Sequence, residues 1–152
     1  MIRAIAVAAA LLSASAAPAA EKVTLPGLSY EVLASGPAAG PHPTRADGVT
    51  MRYVGRLADG TVFSTSPDDG KGLSTFGVKE VIPGMGAVLQ LMRPGDRWRV
   101  TMPPYLAYGP GRPLTAPAPG APSQAIQKHG IPPNATLIFD VELVGAAAPK
   151  AP

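Results

Sequence analysis

Alternation of apolar and polar residues is the feature that most restricts the fold of this chain, because a period of two belongs to β-strands with one buried face. It runs through four segments, residues 28–33, 49–57, 96–102 and 135–144. In the second of these, Met51 and Tyr53 fall on one face and Arg52 and Arg56 on the other. Repeated alternation of this kind predicts an antiparallel sheet with one dry and one solvated face.

Turn-forming residues separate these predicted strands. Asp59-Gly60 follows the second strand and predicts a type I′ turn, from which Thr61-Val62-Phe63 returns as the partner strand of a hairpin. The chain also contains 19 prolines and 17 glycines, which favours loops and turns, so long regular helices are not expected.

The period changes between Phe76 and Trp98. Pro83 is suited to the first position of a helix, and the apolar residues after it have helical spacing, namely Met85, Val88, Leu89 and Met92. Arg93-Pro94-Gly95 should end this helix after roughly ten residues. The sequence therefore predicts an α+β fold in which one short amphipathic helix packs on the sheet.

Residues 1–20 have the order of a secretory signal peptide. Arg3 is followed by an apolar run over residues 4–12 and then by small residues over 13–20. Cleavage is expected after Ala16, Ala19 or Ala20. No later stretch approaches the roughly 20 apolar residues of a transmembrane helix, so we expect an exported protein, in the bacterial periplasm or secreted.

Several classes of chemistry find no support in the sequence. The chain has no cysteine, which excludes disulfides and thiolate chemistry. His42 and His129 have no partners at metal-ligand spacing, and no G-x-S-x-G segment surrounds a serine, so neither a metal site nor a serine hydrolase is expected. Loss of Arg3 with the signal peptide leaves twelve basic and ten acidic residues, an interspersed balance that argues against nucleic-acid binding. No cofactor is predicted.

Aromatic and large apolar residues lie at predicted strand ends and in loops, where each one alone is most simply explained by core packing. The set comprises Tyr53, Phe63, Phe76, Val81, Ile82, Met85, Trp98, Tyr108, Ile131 and Phe139. Tyr108 differs in kind, because the turn-rich segment Leu106-Ala107-Tyr108-Gly109-Pro110 would present its hydroxyl outward. A pocket wall is therefore plausible there.

Five segments in order resemble the FKBP-type peptidyl-prolyl cis-trans isomerases. They are Tyr53 with Gly55, Leu57-x-Asp59-Gly60-x-x-Phe63, Val81-Ile82-Pro83-Gly84, Ala107-Tyr108-Gly109 and the run from Ile131 to Leu143. The sequences of residues 89–95 and 106–110 are most similar to those of the exported macrophage infectivity potentiator branch. The resemblance covers residues 25–144 and implies a bent antiparallel sheet wrapped around one short helix.

The resemblance also implies a pocket between sheet and helix and a role for its residues. The Ile82 N–H and the Tyr108 hydroxyl would hold carbonyl oxygens of the substrate, while Tyr53, Phe63 and Phe139 would enclose its proline ring. The remaining residues implied to contact substrate are Ser64, Phe76, Val81, Met85 and Ile131. The expected partners are proline-containing, unfolded or nascent exported polypeptides, with the macrolides of the family as further ligands.

Three positions depart from the family pattern. Ser64 stands where the family usually has a catalytic aspartate, and Met85 stands where it has a tryptophan, with Gly84 and Gly86 expected to leave room for the methionine. These two changes leave open a weakly catalytic or non-catalytic proline-binding module or chaperone. The third departure is a long loop, residues 110–130, in whose second half Ser123–Gly130 is expected to form a helical turn. This loop should overhang the pocket, and three roles stay open for it: setting substrate choice, partly covering the site, or a plain surface insertion.

These observations divide the chain into four parts. Residues 1–20 are the signal peptide, 21–47 an N-terminal strand and a Pro/Gly-rich connection, 48–145 the isomerase domain, and 146–152 a disordered tail.

Overall fold

The computed structural model describes residues 22–25, 27–37, 40–115 and 125–148. Their strands are β1 (Lys22–Leu25), β2 (Leu28–Ala34), β3 (Gly48–Leu57), β4 (Val62–Thr65), β5 (Ser74–Gly77), β6 (Arg97–Met102), β7 (Ile126–Gln127) and β8 (Leu137–Ala147). The helical segments are α1 (Pro67–Gly70), α2 (Pro83–Leu89) and the 3-10 turn Pro104–Leu106. The predicted signal peptide, including its cleavage region, lies outside the described residues.

The strands form one antiparallel sheet in the order β1-β2-β6-β8-β3-β4-β7, with β5 also paired to β3. β8 lies between β6 and β3, and its pairing with β3 runs from Leu57 opposite Leu137 to Gly48 opposite Ala147. The alternating segments thus become strands whose inward residues are buried, as in β6, where Trp98, Val100 and Met102 are buried. The predicted α+β fold with an antiparallel sheet is confirmed.

Helix α2 contributes its apolar side to the core of the sheet. Met85, Val88 and Leu89 are each at most 3% exposed, and Met92 just beyond the helix is fully buried. The helix is shorter than the predicted ten residues. The Gln90 side-chain amide donates to the Gly86 carbonyl at 2.9 Å, and beyond it the Leu91 N–H donates to the Val88 carbonyl at 2.9 Å, a 3-10-type bond in place of the α-helical one to Ala87. No helix in the described part of the chain is long and apolar enough to cross a membrane.

The hairpin between β3 and β4 forms, but its turn differs from the predicted type I′ turn. The Gly60 N–H donates to the Leu57 carbonyl at 2.9 Å, and only Gly60 in this turn has a positive φ, 92°. Type I′ requires positive φ at two central residues, whereas a negative-φ turn followed by one left-handed glycine produces a bulge. The register accordingly shifts between Gly55 and Arg56.

Two further expectations at loops and ends are corrected. The predicted helical turn over Ser123–Gly130 is wrong for residues 125–130, because Ile126 and Gln127 form β7 on the edge of β4. The Lys128 N–H also donates to the Phe63 carbonyl at 2.7 Å, so backbone groups of β4 hold this segment extended. Residues 116–124 of the long loop lie outside the described residues.

The predicted tail begins too early. Ala146 and Ala147 belong to β8 because Val49 and Gly48 at the start of β3 provide them with backbone partners. The remainder of the predicted tail, residues 149–152, is outside the described residues.

The segment α1 is a left-handed turn rather than a regular helix. Asp68 and Asp69 have φ values of 52° and 54°, and neither is buried. Next to it, the Tyr53 N–H donates to the Ser66 hydroxyl at 3.2 Å. This contact fixes the chain between β4 and β5, the two strands that pair with the same side of β3.

Candidate active site

A cavity of about 630 Å³ opens between the sheet and the start of α2. All ten residues predicted for the site line it, namely Tyr53, Phe63, Ser64, Phe76, Val81, Ile82, Met85, Tyr108, Ile131 and Phe139. Strands β3, β4, β5 and β8 contribute the aromatic floor, and the N-terminal end of α2 contributes one wall. Tyr108 and Ile131 come from the segments that follow β6.

The floor is built from aromatic rings in contact. Phe63 and Phe139 meet edge to face, with centroids 5.5 Å apart and planes at 88°. Tyr53 lies 6.3 Å from both Phe76 and Phe139 in tilted arrangements. Such geometries match the ring edge of one residue to the ring face of another, which favours a fixed apolar surface.

Gly55 allows this floor to form. A Cβ atom at this position would lie 2.7 Å from Cζ of Phe63 and 2.9 Å from Cε1 of Phe139. Both distances are below any ordinary carbon contact, so the two rings occupy the space that a side chain at residue 55 would need. The glycine after Tyr53 in the sequence is therefore part of the site's construction.

Glycines 84 and 86 serve a different purpose from the one predicted. A Cβ at Gly84 would lie 3.0 Å from Sδ of Met102 and 3.1 Å from the Leu106 carbonyl, and one at Gly86 would lie 3.1 Å from the Val78 carbonyl. They let the backbone of α2 approach its neighbours closely instead of leaving room for Met85. The Met85 side chain itself is 3% exposed and lines the cavity.

Polar groups meet at the Tyr53 end of the cavity. The Tyr53 and Ser64 hydroxyls are 3.1 Å apart and hydrogen-bonded. Burial raises the pKa of Tyr53, the hydrogen bond to Ser64 opposes this, the Tyr108 phenol raises it further and the charge of Arg112 lowers it. Tyr53 is therefore a neutral phenol over the whole physiological range.

Two hydrogen-bond donors on the wall have no partner in the described part of the chain. The Ile82 N–H precedes α2 and donates to no protein group, and the Tyr108 hydroxyl has none within hydrogen-bond distance. Both residues line the same cavity as the aromatic floor. A peptide entering it could therefore offer carbonyl oxygens to both donors without displacing an internal hydrogen bond.

Sequence reasoning did not find every residue of the cavity. Its further lining residues are Met51, Glu80, Arg112, Thr115, Ala125, Ile126 and Gln127. Met51 could have been found from its place on the same strand face as Tyr53. The residues from the long loop could not, because their position depends on the pairing of β7 with β4.

An antiparallel sheet, one short helix and an aromatic cavity between them agree with the fold that the resemblance implies, and the comparisons give the same assignment. The family model for the FKBP-type peptidyl-prolyl cis-trans isomerase matches residues 40–144. The chain belongs to this family.

Individual relatives place it in the branch that resembles macrophage infectivity potentiators. It is 42% identical over 123 residues to the outer membrane protein MIP of Legionella longbeachae, covering 80% of this chain and 46% of that protein. The crystal structure of FkpA from Escherichia coli superposes with a TM-score of 0.66 at 35% identity, covering 84% of this chain and 52% of the other. An isomerase from Pseudomonas syringae gives 0.62 at 31% identity, covering 87% and 84%. The chain spans about half the length of the curated relatives it matches.

Proposed function

We propose that this protein is a peptidyl-prolyl cis-trans isomerase that acts on proline-containing segments of unfolded or nascent exported polypeptides. The observation that carries the proposal is the combination of an aromatic floor with two unengaged donors, the Ile82 N–H and the Tyr108 hydroxyl. Family membership supports the same activity. Neither a metal nor a cofactor has a part in this reaction.

The chemistry requires no nucleophile. Rotation about an X-Pro bond must break amide resonance, with a barrier of about 18–20 kcal/mol, although the two isomers differ by only about 0.5–1 kcal/mol. The twisted amide has a less polar carbonyl than the planar one. An apolar cavity that excludes water therefore favours it over the planar ground state, and this difference in binding lowers the barrier.

Each part of the cavity would have a defined task. The rings of Phe63, Phe139 and Tyr53 would enclose the proline, while the Ile82 N–H and the Tyr108 hydroxyl would fix the backbone carbonyls on either side. Fixing the flanking carbonyls leaves the X-Pro bond as the free rotor. Phe76, Val81, Met85 and Ile131 would complete the apolar wall, and we propose that the family's macrolides compete for this same cavity.

The test is a protease-coupled isomerisation assay with a proline tetrapeptide. We expect measurable kcat/KM for the wild type and a decrease of about threefold to tenfold in Tyr108→Phe, the range that corresponds to one lost hydrogen bond. Tyr105→Phe is the matched control, because Tyr105 is 69% exposed and does not line the cavity. A wild-type rate equal to the uncatalysed rate would refute the proposed activity.

One observation favours a second candidate, a proline-peptide-binding module or chaperone with little turnover. Ser64 is hydrogen-bonded to Tyr53 at the position where the family has an aspartate, so no carboxylate is present there. Saturable peptide binding measured by calorimetry, together with an uncatalysed rate of isomerisation, would establish this alternative.

We also propose that the protein is exported to the periplasm. The support is the signal-peptide pattern of residues 1–20 and the similarity to a relative named as an outer membrane protein. Fractionation of cells that produce the full chain, with amino-terminal sequencing of the product, tests both export and cleavage after residues 16–20.

A further inference from the structure

The cavity has an uneven distribution of charge at its rim. Of the described residues that line it, Glu80 and Arg112 are charged. The Glu80 carboxylate accepts the Gly77 N–H at 3.0 Å, and a Cβ on Gly77 would lie 2.9 Å from its Cδ. Glu80 therefore lies folded against its own turn, where a backbone donor already engages its charge.

Arg112 is held in place by its backbone. Its N–H donates to the Ile131 carbonyl at 2.8 Å, and its carbonyl accepts the Ile131 N–H at 2.7 Å. Gly111 makes this close bridge possible, since it has a φ of 93° and a Cβ there would lie 2.6 Å from the Ile131 carbonyl oxygen. Because Ile131 is a buried wall residue, the bridge fixes Arg112 to the cavity.

The Arg112 side chain lies over Tyr108. Its guanidinium carbon is 5.6 Å from the centre of the ring, within the range of a cation–π contact. The effect of this positive charge reaches the aromatic floor, because the charge lowers the pKa of Tyr53 while burial raises it. Among the described residues that line this cavity, Arg112 is thus the positively charged one.

This guanidinium has no carboxylate partner in the described ranges. Four ion pairs occur there, and they involve Arg52, Arg56, Arg99 and Lys128. The adjoining loop segment, residues 116–124, contains neither aspartate nor glutamate. Arg112 therefore has a fixed backbone, a guanidinium over a tyrosine ring and no counter-ion among the described residues, so its charge is available to a ligand in the cavity.

We propose that Arg112 is a specificity-determining residue that favours substrates with an acidic side chain immediately before the proline. The inference rests on the proposed function. The Cα atoms that flank an X-Pro bond are 3.8 Å apart in trans and about 2.9 Å apart in cis. With the proline ring on the aromatic floor, the preceding residue lies one Cα–Cα step away, and we place its side chain towards Arg112, which lines the same cavity over the Tyr108 ring.

The experiment compares two isosteric tetrapeptides, Ala-Glu-Pro-Phe and Ala-Gln-Pro-Phe, in the isomerisation assay at low ionic strength. The readout is the ratio of their kcat/KM values, so a general loss of activity or stability cancels. We expect Arg112→Gln to lower the Glu/Gln ratio by about twofold to fivefold, the range for a solvent-exposed ion pair. Arg112→Lys keeps the charge and should retain most of the preference.

Arg97→Gln is the matched control, because it removes the same charge from the exposed face of β6, away from the cavity. Its ratio should equal that of the wild type, and 0.5 M salt should reduce the wild-type ratio towards that of Arg112→Gln. An unchanged ratio in Arg112→Gln would overturn this inference while leaving the isomerase activity intact. Absence of turnover with both peptides would instead refute the proposed function.

Discussion

Replacing Gly55 with alanine should damage both the stability and the activity of the protein. The added Cβ would lie 2.7 Å from Phe63 and 2.9 Å from Phe139, about 1 Å inside an ordinary carbon contact. Neither ring can move away easily, because they are 2% and 5% exposed and pack edge to face at 5.5 Å. Overpacking of this kind costs about 1–3 kcal/mol.

The two consequences can be measured separately. For a domain of this size, 1–3 kcal/mol corresponds to a fall in Tm of about 4–15 °C, which thermal denaturation followed by circular dichroism would detect. Displaced rings should also lower kcat/KM for a proline tetrapeptide by at least about threefold. Gly145→Ala is the control, because a Cβ there would meet nothing within 4 Å and its φ is not positive. It should change stability by less than about 0.5 kcal/mol. A Gly55→Ala protein with wild-type Tm and kcat/KM would refute this account of the floor.

Two further predictions concern charge. Ser64→Asp should raise kcat/KM by about threefold, because a carboxylate accepts a stronger hydrogen bond from Tyr53 than a hydroxyl does; Ser64→Asn is the uncharged control, and equal rates in the two variants would contradict the expectation. Burial raises the pKa of Asp140, but hydrogen bonds and charges from Arg99 and Arg56 outweigh it and hold the pKa below its ordinary 3.8. A lowered carboxyl pKa stabilises the fold above pH 4, and this contribution is lost as the pH falls through the folded-state pKa. Denaturant unfolding should therefore show Asp140→Asn less stable than the wild type by about 1 kcal/mol at pH 7, and the difference should shrink at pH 2–3; an equal difference at both pH values would rule out this ion-pair explanation.

The sheet and the helix could be predicted because each depends on a local pattern. The alternation in β3 and β6 reports a buried face, and Pro83 with Met85 and Val88 reports a helix start. The residues at which these elements begin and end were less predictable. At the end of α2 the Leu91 N–H donates to the Val88 carbonyl instead of the Ala87 carbonyl, and no periodicity of apolar residues contains that information.

The site was predictable in its aromatic part and not in its charged part. Resemblance to a family supplied the positions of Phe63, Tyr108 and Phe139, and the structure gathers them in one cavity. No family motif marks Arg112 as a site residue, because it lies in a loop that departs from the family pattern. Its place over Tyr108 follows from the bridge to Ile131, a contact between residues 19 positions apart that only the folded backbone reveals.

The central position of β8 has a consequence for how the protein acquires activity. This strand is the last described element of the chain, yet it lies between β6 and β3, and it carries Phe139 of the aromatic floor. Sheets built from such distant partners fold slowly, on a scale of milliseconds to seconds. During refolding, recovery of isomerase activity should therefore follow insertion of this strand and coincide with the slowest sheet-forming phase detected by Trp98 fluorescence, since Trp98 pairs with Val141 of β8. A chain of this design completes its aromatic cavity only when its last described strand has paired with β3 and β6.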